Sequence, residues 1–113
     1  MDEETLEVVG KITHTYLYVL HDGEVVHRNV AAKLVAEELG LIEESSPKEL
    51  VERAQEKLLP LLDVLLETGF LLSRPQKSVM IAPKGLDALI DHEGTLSKAF
   101  IEKEIPSVLS LQF

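Results

Sequence analysis

The chain has 113 residues with an apolar fraction of 45%, enough for one domain with its own core, and it has no cysteine for disulfides, thiolate zinc sites or a thiol nucleophile. Its 11 basic and 20 acidic residues give a net charge of −9, which argues against broad attraction to nucleic acid or anionic lipid. The acidic N-terminus and the lack of a long apolar stretch predict a cytoplasmic protein without a membrane partner.

A first helix is predicted from Thr5 to Leu20, behind acidic residues that suit a helix N-terminus. Its main apolar stripe consists of Leu6, Val9, Tyr16, Leu17 and Leu20. Val8, Ile12 and Val19 lie off that stripe, so the helix is apolar over more than one face. We therefore expect this helix to contact the domain core and a second surface.

A short strand and a second helix are predicted next. Val25 and Val26 follow an Asp-Gly turn signal and are expected to pair with a later hairpin. Asn29 is a candidate N-cap for a helix that Gly40 ends. Residues 41–45 then link this helix to a third one.

The third helix has the clearest predicted start. Ser46 is expected to be its N-cap, Pro47 its first residue and Glu49 the second half of a capping box. Apolar residues continue at helical spacing until Gly69, the predicted C-terminal stop. Pro60 lies inside the helix, where it removes one backbone hydrogen bond, and predicts a kink or a break into two segments.

Two short apolar runs, Phe70–Leu72 and Val79–Ile81, predict an antiparallel hairpin with a turn between them. The order is then helix, strand, helix, helix, strand, strand. This order is typical of a winged helix-turn-helix. The predicted fold class is mostly α with a small antiparallel β-wing and an extra C-terminal helix.

The remaining residues predict two further helices. The first covers residues 83–90, and its inward-facing side chains are expected to be Leu86, Leu89 and Ile90. The second covers residues 96–105 and ends at Pro106. The terminal residues alternate between apolar and polar, which predicts a strand or an extended tail. We therefore divide the chain into a winged-helix domain, residues 1–92, and a C-terminal helix and tail, residues 93–113.

The motif order resembles the N-terminal winged-helix domain of the Mrr family of restriction endonucleases over residues 12–92. The matching segments are HDGEVVHR (His21 to Arg28), AAKLVAEELGL (Ala31 to Leu41), LLPLLDVLLETGFLL (Leu58 to Leu72) and IAPKGLDALI (Ile81 to Ile90). The resemblance implies DNA recognition by this domain. The family's nuclease domain has no counterpart in the residues after 92, so cleavage is not expected. The third segment carries Asp63 and Glu67 where the family is usually basic.

The first functional hypothesis is binding of double-stranded DNA by a small dimeric regulator. It requires a helix that enters the major groove and basic groups that reach phosphates or bases. The candidate DNA-binding residues are Lys48, Arg53, Gln55, Lys57, Arg74, Lys77 and Lys84. Residues 73–86 contain three of these cations and no acidic residue. In the alternative interpretation, Glu49 and Arg53 form an ordinary ion pair and the wing cations only keep the hairpin soluble.

A homodimer is expected from the two-faced first helix and the apolar C-terminus. The candidate dimer-interface residues are Val8, Ile12, Val19, Leu96, Phe100, Ile101, Ile105, Leu109 and Phe113. In the alternative interpretation, these residues complete the core of one chain.

The second functional hypothesis is a winged-helix module that docks a partner protein without binding DNA. Its expected contact surfaces are the exposed part of Leu58–Glu67 and the terminal residues Leu109–Phe113. An enzyme is not expected, because the chain has no nucleophile elbow and no glycine-rich loop after a strand. The four histidines match no zinc spacing, so neither a metal nor a cofactor is expected.

Overall fold

The computed structural model describes residues 2–111, and helices make up most of this range. Over these residues, five α-helices and one 3₁₀ helix accompany an antiparallel sheet of three strands. In chain order the elements are α1 (Glu3–Val19), β1 (Val26–His27), α2 (Arg28–Glu38), α3 (Lys48–Glu67), β2 (Leu71–Arg74), β3 (Ser78–Ile81), α4 (Pro83–Asp91), α5 (Lys98–Glu104) and the 3₁₀ helix (Pro106–Ser110). The predicted class, mostly α with a small antiparallel sheet, is confirmed.

The sheet has the strand order β1-β3-β2, so β3 lies in the centre. Val26 of β1 pairs with Val79 of β3, which confirms the predicted pairing between the short strand and the hairpin. On the other side of β3, Leu71 pairs with Ile81. Strands β2 and β3 form a hairpin, which we call the wing. Three residues, Pro75 to Lys77, connect the strands at its tip. The hairpin is therefore as short as its two apolar runs predict.

Helix α1 runs through the core of the molecule. The Asp2 carboxylate caps its start by accepting a hydrogen bond from the Thr5 amide at 2.8 Å. Along its length, the predicted stripe is buried, and so is Ile12. Tyr16 lies fully inside, where its hydroxyl donates to the Leu58 carbonyl oxygen of α3 at 2.7 Å. This bond joins the first helix to the middle of the third.

The predicted N-caps of α2 and α3 are wrong. Helix α2 begins at Arg28, and His27 Nδ1 accepts from the Asn29 amide at 3.1 Å, so His27 takes the capping role expected of Asn29. Helix α3 begins at Lys48 with Pro47 as its N-cap. The Ser46 hydroxyl instead accepts from the Glu43 amide at 2.7 Å, because the linker closes a turn of its own.

Helix α3 continues unbroken through Pro60, so it does not divide into two segments. Its end follows the prediction, with Gly69 in the left-handed region at a φ of 84°. The Gly69 amide donates to Leu66 and the Phe70 amide donates to Leu65, which is the hydrogen-bond pattern of a Schellman motif. This stop turns the chain directly into β2.

Helix α4 shows a different inward face from the predicted one. Its buried residues are Gly85 and Ala88, whereas Ile90 is 78% exposed and Leu86 is also exposed. Leu89 is partly buried against the core. A Cβ at position 85 would collide with the Phe70 carbonyl oxygen. The close approach of α4 to the hairpin therefore requires small residues on the inward side.

The segment from residue 93 to 111 packs on the same core as the helices before it. Leu96, Ile101, Ile105 and Val108 are all buried, and the Leu96 amide donates to the Gly10 carbonyl of α1 at 3.2 Å. Residues 106–110 form a 3₁₀ helix, so the predicted strand or extended tail is wrong there. Among the described helices, none has both the length and the apolar character needed to cross a bilayer.

Candidate functional site

The solvent-facing side of α3 carries a row of carboxylates. Glu49, Glu52, Glu56, Asp63 and Glu67 follow one another at spacings of three, four and seven residues, and all are exposed. These spacings place side chains on one face of an α-helix. We call this row the carboxylate ridge. It forms the solvent-exposed face of α3.

The residues of α3 that were predicted to bind DNA lie on both flanks of the carboxylate ridge. Lys48 Nζ lies 3.8 Å from Glu52 Oε1, so this cation is within ion-pair distance of the ridge. Gln55 Nε2 donates to the Asn29 carbonyl oxygen at 2.9 Å, which ties α3 to the first turn of α2. Arg53 and Lys57 lie one turn apart on the opposite flank. The predicted pair between Glu49 and Arg53 does not form within the described residues.

Arg28 connects three elements at the start of α2. Its guanidinium contacts Asp63 of α3 with an Nη2–Oδ1 distance of 2.5 Å. Its backbone amide donates to the Lys77 carbonyl of the wing at 2.9 Å. Arg28 is not among the predicted site residues, because nothing in the chain pattern links residues so far apart in sequence. Arg28 therefore neutralises part of the negative charge of Asp63. Glu49 and Glu56 have no basic partner among the described residues.

The wing holds two of the predicted cations at the surface. Arg74 and Lys77 are both exposed. Gln76 and Lys77 have φ values of 61° and 58°, a left-handed backbone that non-glycine residues adopt at a cost of about 1 kcal/mol each. The wing tip thus presents positive charge on a tightly turned hairpin.

Lys84 has a structural contact. Its Nζ donates to the Thr68 carbonyl at the C-terminus of α3 at 2.9 Å. The same ammonium lies 4.5 Å from the centroid of the Phe70 ring. A cation at this position satisfies an end carbonyl and complements the helix dipole. Lys84 is exposed, and its ammonium is engaged by these two contacts within the chain.

A groove lies on the flank of α3 that carries Arg53 and Lys57. It has a volume of about 310 Å³. Its apolar lining comes from the start of the α2–α3 linker and from the first turns of α3, and consists of Leu41, Ile42, Leu50 and Ala54. The two cations complete its lining. We call this feature the basic-rimmed groove. It combines an apolar floor with positive charge at one edge.

The predicted dimer interface is largely internal to one chain. Ile12, Leu96, Ile101 and Ile105 are buried, and Val19 and Phe100 pack against the core. Only two members offer substantial surface, Val8 at 52% and Leu109 at 39% exposure. Phe113 lies outside the described residues. Since four of these side chains fill the core, they offer no surface to a second copy, as the one-chain alternative expects.

The exposed part of Leu58–Glu67, which is the predicted contact surface, consists of Pro60, Asp63 and Glu67. Leu58, Leu61 and Leu65 are buried, and the exposed positions of this segment include Pro60 and Asp63. The apolar side chains of this half of α3 therefore form the core, and its outer surface is acidic. Two exposed leucines, Leu41 and Leu50, line the basic-rimmed groove.

The histidines have separate surroundings. His14 Nε2 is 3.1 Å from the His92 carbonyl oxygen, and the His92 ring stacks edge-on against Phe100 with a centroid distance of 4.6 Å. The His21 ring stacks on Tyr18 at 5.5 Å. Within residues 2–111, no three His, Cys, Asp or Glu side chains are arranged to hold a metal ion.

No protein-family model, no curated protein and no solved structure matches this chain. The fold is that of a helix-rich domain with a three-stranded antiparallel sheet. Its two surface features of chemical interest are the carboxylate ridge and the basic-rimmed groove beside it.

Proposed function

We propose that this chain is a winged helix-turn-helix domain that acts as a protein-interaction module. The observation that carries this proposal is the carboxylate ridge on the exposed face of α3. In a winged helix that reads DNA, the corresponding helix enters the major groove. Here that surface would bring a row of carboxylates against the phosphate backbone.

The charge of the carboxylate ridge opposes binding of α3 in the major groove. Duplex DNA carries one negative charge for about every 1.7 Å of its axis, and phosphate neutralisation supplies much of the affinity. Two carboxylates of the ridge have basic neighbours, because Asp63 pairs with Arg28 and Glu52 with Lys48. Glu49, Glu56 and Glu67 have no basic partner within ion-pair distance in the described chain. Insertion of α3 would therefore be repulsive.

The exposed apolar residues support protein docking. Leu41 and Leu50 are 55% and 44% exposed and line the same groove. The buried centre of a protein interface is more apolar than its polar rim, and Arg is enriched among interface residues. The groove fits this description, since its leucines adjoin Arg53.

A second candidate function is DNA binding confined to the wing. Arg74 and Lys77 are exposed, and no acidic residue occurs from position 73 to 86. Such a wing would contact phosphates along the backbone while α3 stays outside the major groove. This candidate predicts weak binding with a strong dependence on salt.

Two measurements test the proposal. The immobilised full chain is incubated with a nuclease-treated lysate of the cells that express it, and specific retention of a protein is expected to survive nuclease treatment. Fluorescence anisotropy with mixed-sequence duplex DNA at low salt is expected to show no binding. Retention that disappears with nuclease treatment would contradict protein docking. Duplex binding that Arg74→Glu/Lys77→Glu abolishes would establish the second candidate instead.

A further inference from the structure

We infer that the basic-rimmed groove binds one amphipathic segment of a partner protein, with apolar side chains on one face and carboxylates along the adjacent edge. This inference rests on the proposed function and adds to it the site and the chemistry of the ligand. It derives from the backbone that builds the groove, the exposure of its floor and the charge of its rim.

The floor of the groove stands on a fixed backbone. Gly40 adopts a φ of 75° after α2, its amide donates to Glu37 at 3.0 Å, and the Leu41 amide donates to Ala36 at 2.9 Å. These two hydrogen bonds form a Schellman motif, which fixes the direction of the chain at Leu41. Leu50 is held independently in the first turn of α3. A preorganised floor binds a ligand without the entropic cost of ordering its own residues.

The floor is also incompletely covered. Ile42 is buried beneath the groove, while Leu41 and Leu50 each keep about half of their surface in water. A volume of about 310 Å³ is near the lower end of the range for ligand pockets, about 300–1,000 Å³. It suits a few side chains of a segment that lies across the surface. An amphipathic helix presents such side chains at positions i, i+3, i+4 and i+7.

The positive charge of the rim indicates that the ligand carries negative charge. Arg53 and Lys57 are exposed, one helical turn apart, and within residues 2–111 neither lies within ion-pair distance of a carboxylate. Arg28, Lys48 and Lys98 are each paired with an acidic side chain. The other described cations without an ion pair do not line this groove, and they are Lys11, Lys33, Arg74, Lys77, Lys84 and Lys103. An acidic chain that leaves two adjacent cations unpaired beside an apolar groove offers a complementary site for carboxylates.

Other occupants fit less well. A nucleic acid would use the cations but gain nothing from Leu41 and Leu50. A second copy of this chain would bring a net charge of −9 against the same charge, and this repulsion opposes dimer formation. A partner segment with local carboxylates uses both the floor and the rim.

The test uses isotopically labelled full-length protein and three short helical peptides. One carries Leu at i, i+3, i+4 and i+7 with Glu along one edge, the second has Lys in place of Glu, and the third has Ser in place of Leu. Amide shifts are expected at Leu41, Leu50 and Ala54 with the first peptide. Its affinity should exceed that of the Lys peptide by about tenfold, the size of two partly exposed ion pairs. The Ser peptide should not bind.

Charge reversal supplies the decisive comparison. Arg53→Glu/Lys57→Glu should reverse the preference, so that the Lys peptide binds about tenfold more tightly than the Glu peptide. Arg74→Glu/Lys77→Glu changes the net charge equally at the wing and should leave the original preference intact. Both pairs of positions are exposed, so the fold should persist, as far-UV circular dichroism will check.

Several results would overturn the inference. These are shifts that map outside the groove, an absence of peptide shifts, or a preference that Arg53→Glu/Lys57→Glu does not reverse. Shifts of groove amides that appear with rising protein concentration alone would assign the groove to a second copy. If Leu41→Ser/Leu50→Ser still retains the lysate partner, that partner docks elsewhere. The proposed function would then survive while this inference fails.

Discussion

Replacement of Tyr16 by Phe tests the link between α1 and α3. The Tyr16 hydroxyl donates to the Leu58 carbonyl oxygen at 2.7 Å in the core, and the ring is fully buried. Since Leu58 lies inside a continuous helix, its carbonyl can still accept from the amide four residues later. The variant therefore loses one hydrogen bond without creating an unsatisfied acceptor. The expected cost is about 1 kcal/mol of the free energy of unfolding at neutral pH.

The same substitution has a predicted pH dependence. Burial, with a smaller contribution from Asp63 that Arg28 opposes, raises the pKa of Tyr16 far above its ordinary value of 10.0. The unfolded chain releases this proton near its ordinary pKa while the folded chain retains it. The contribution of Tyr16 to stability is therefore complete below pH 10 and falls above it. The loss approaches about 1.4 kcal/mol per pH unit, so the advantage of wild type over Tyr16→Phe should vanish near pH ~11.

Urea denaturation followed by far-UV circular dichroism measures both effects, because the chain has no tryptophan for fluorescence. Tyr18→Phe is the matched control, since Tyr18 lies on the same helix but is exposed. It should change stability little at any pH. A stability difference between wild type and Tyr16→Phe that stays constant from pH 7 to ~11.5 would refute the assignment of Tyr16 as a buried, neutral donor.

Two further substitutions test contacts of α4. Gly85→Ala should destabilise the protein by at least about 1–3 kcal/mol, because the added Cβ collides with the Phe70 carbonyl oxygen. Thermal unfolding measures this cost. An unchanged unfolding midpoint would mean that α4 lies farther from the hairpin. Lys84→Met should cost about 1 kcal/mol through loss of the contacts with Thr68 and the Phe70 ring, while Lys77→Met should cost little. Equal stability of the two Met variants in urea would remove the capping role of Lys84.

Much of the fold was predictable because its signals are local. The apolar period of α1 and α3 and the left-handed glycines at positions 40 and 69 follow from the geometry of a single helix. The hairpin follows from two short apolar runs. In each of these cases the residues that decide the structure are close neighbours in the chain.

The incorrect predictions concern contacts between distant segments. The leucines of α4 follow a helical period, but the hairpin approaches so closely that Gly85 and Ala88 must face inward. Serine is a favoured N-cap residue, yet the Ser46 hydroxyl accepts a hydrogen bond from the Glu43 amide instead. A turn in the linker therefore forms in place of the predicted capping box.

The candidate site was harder to predict for a similar reason. Gln55 and Lys84 read as surface polar residues, but both donate to backbone carbonyls of other segments. The charge pattern of α3 was visible in the sequence as a mixture of signs. The burial of Leu61 and Leu65 in the core shows that the face shared by the carboxylates is the solvent-facing one, with Arg53 and Lys57 along its flank.

The contact between Leu96 and Gly10 has a consequence for the order of folding. The last helices cover α1, so a chain that is still being synthesised exposes part of that helix until residues 96–108 have emerged from the ribosome. Closing a contact between such distant segments is entropically costly and comes late in folding. Partly made chains would therefore present an apolar α1 to chaperones. Loss of the C-terminal segment should reduce cellular abundance even where every surface residue is intact.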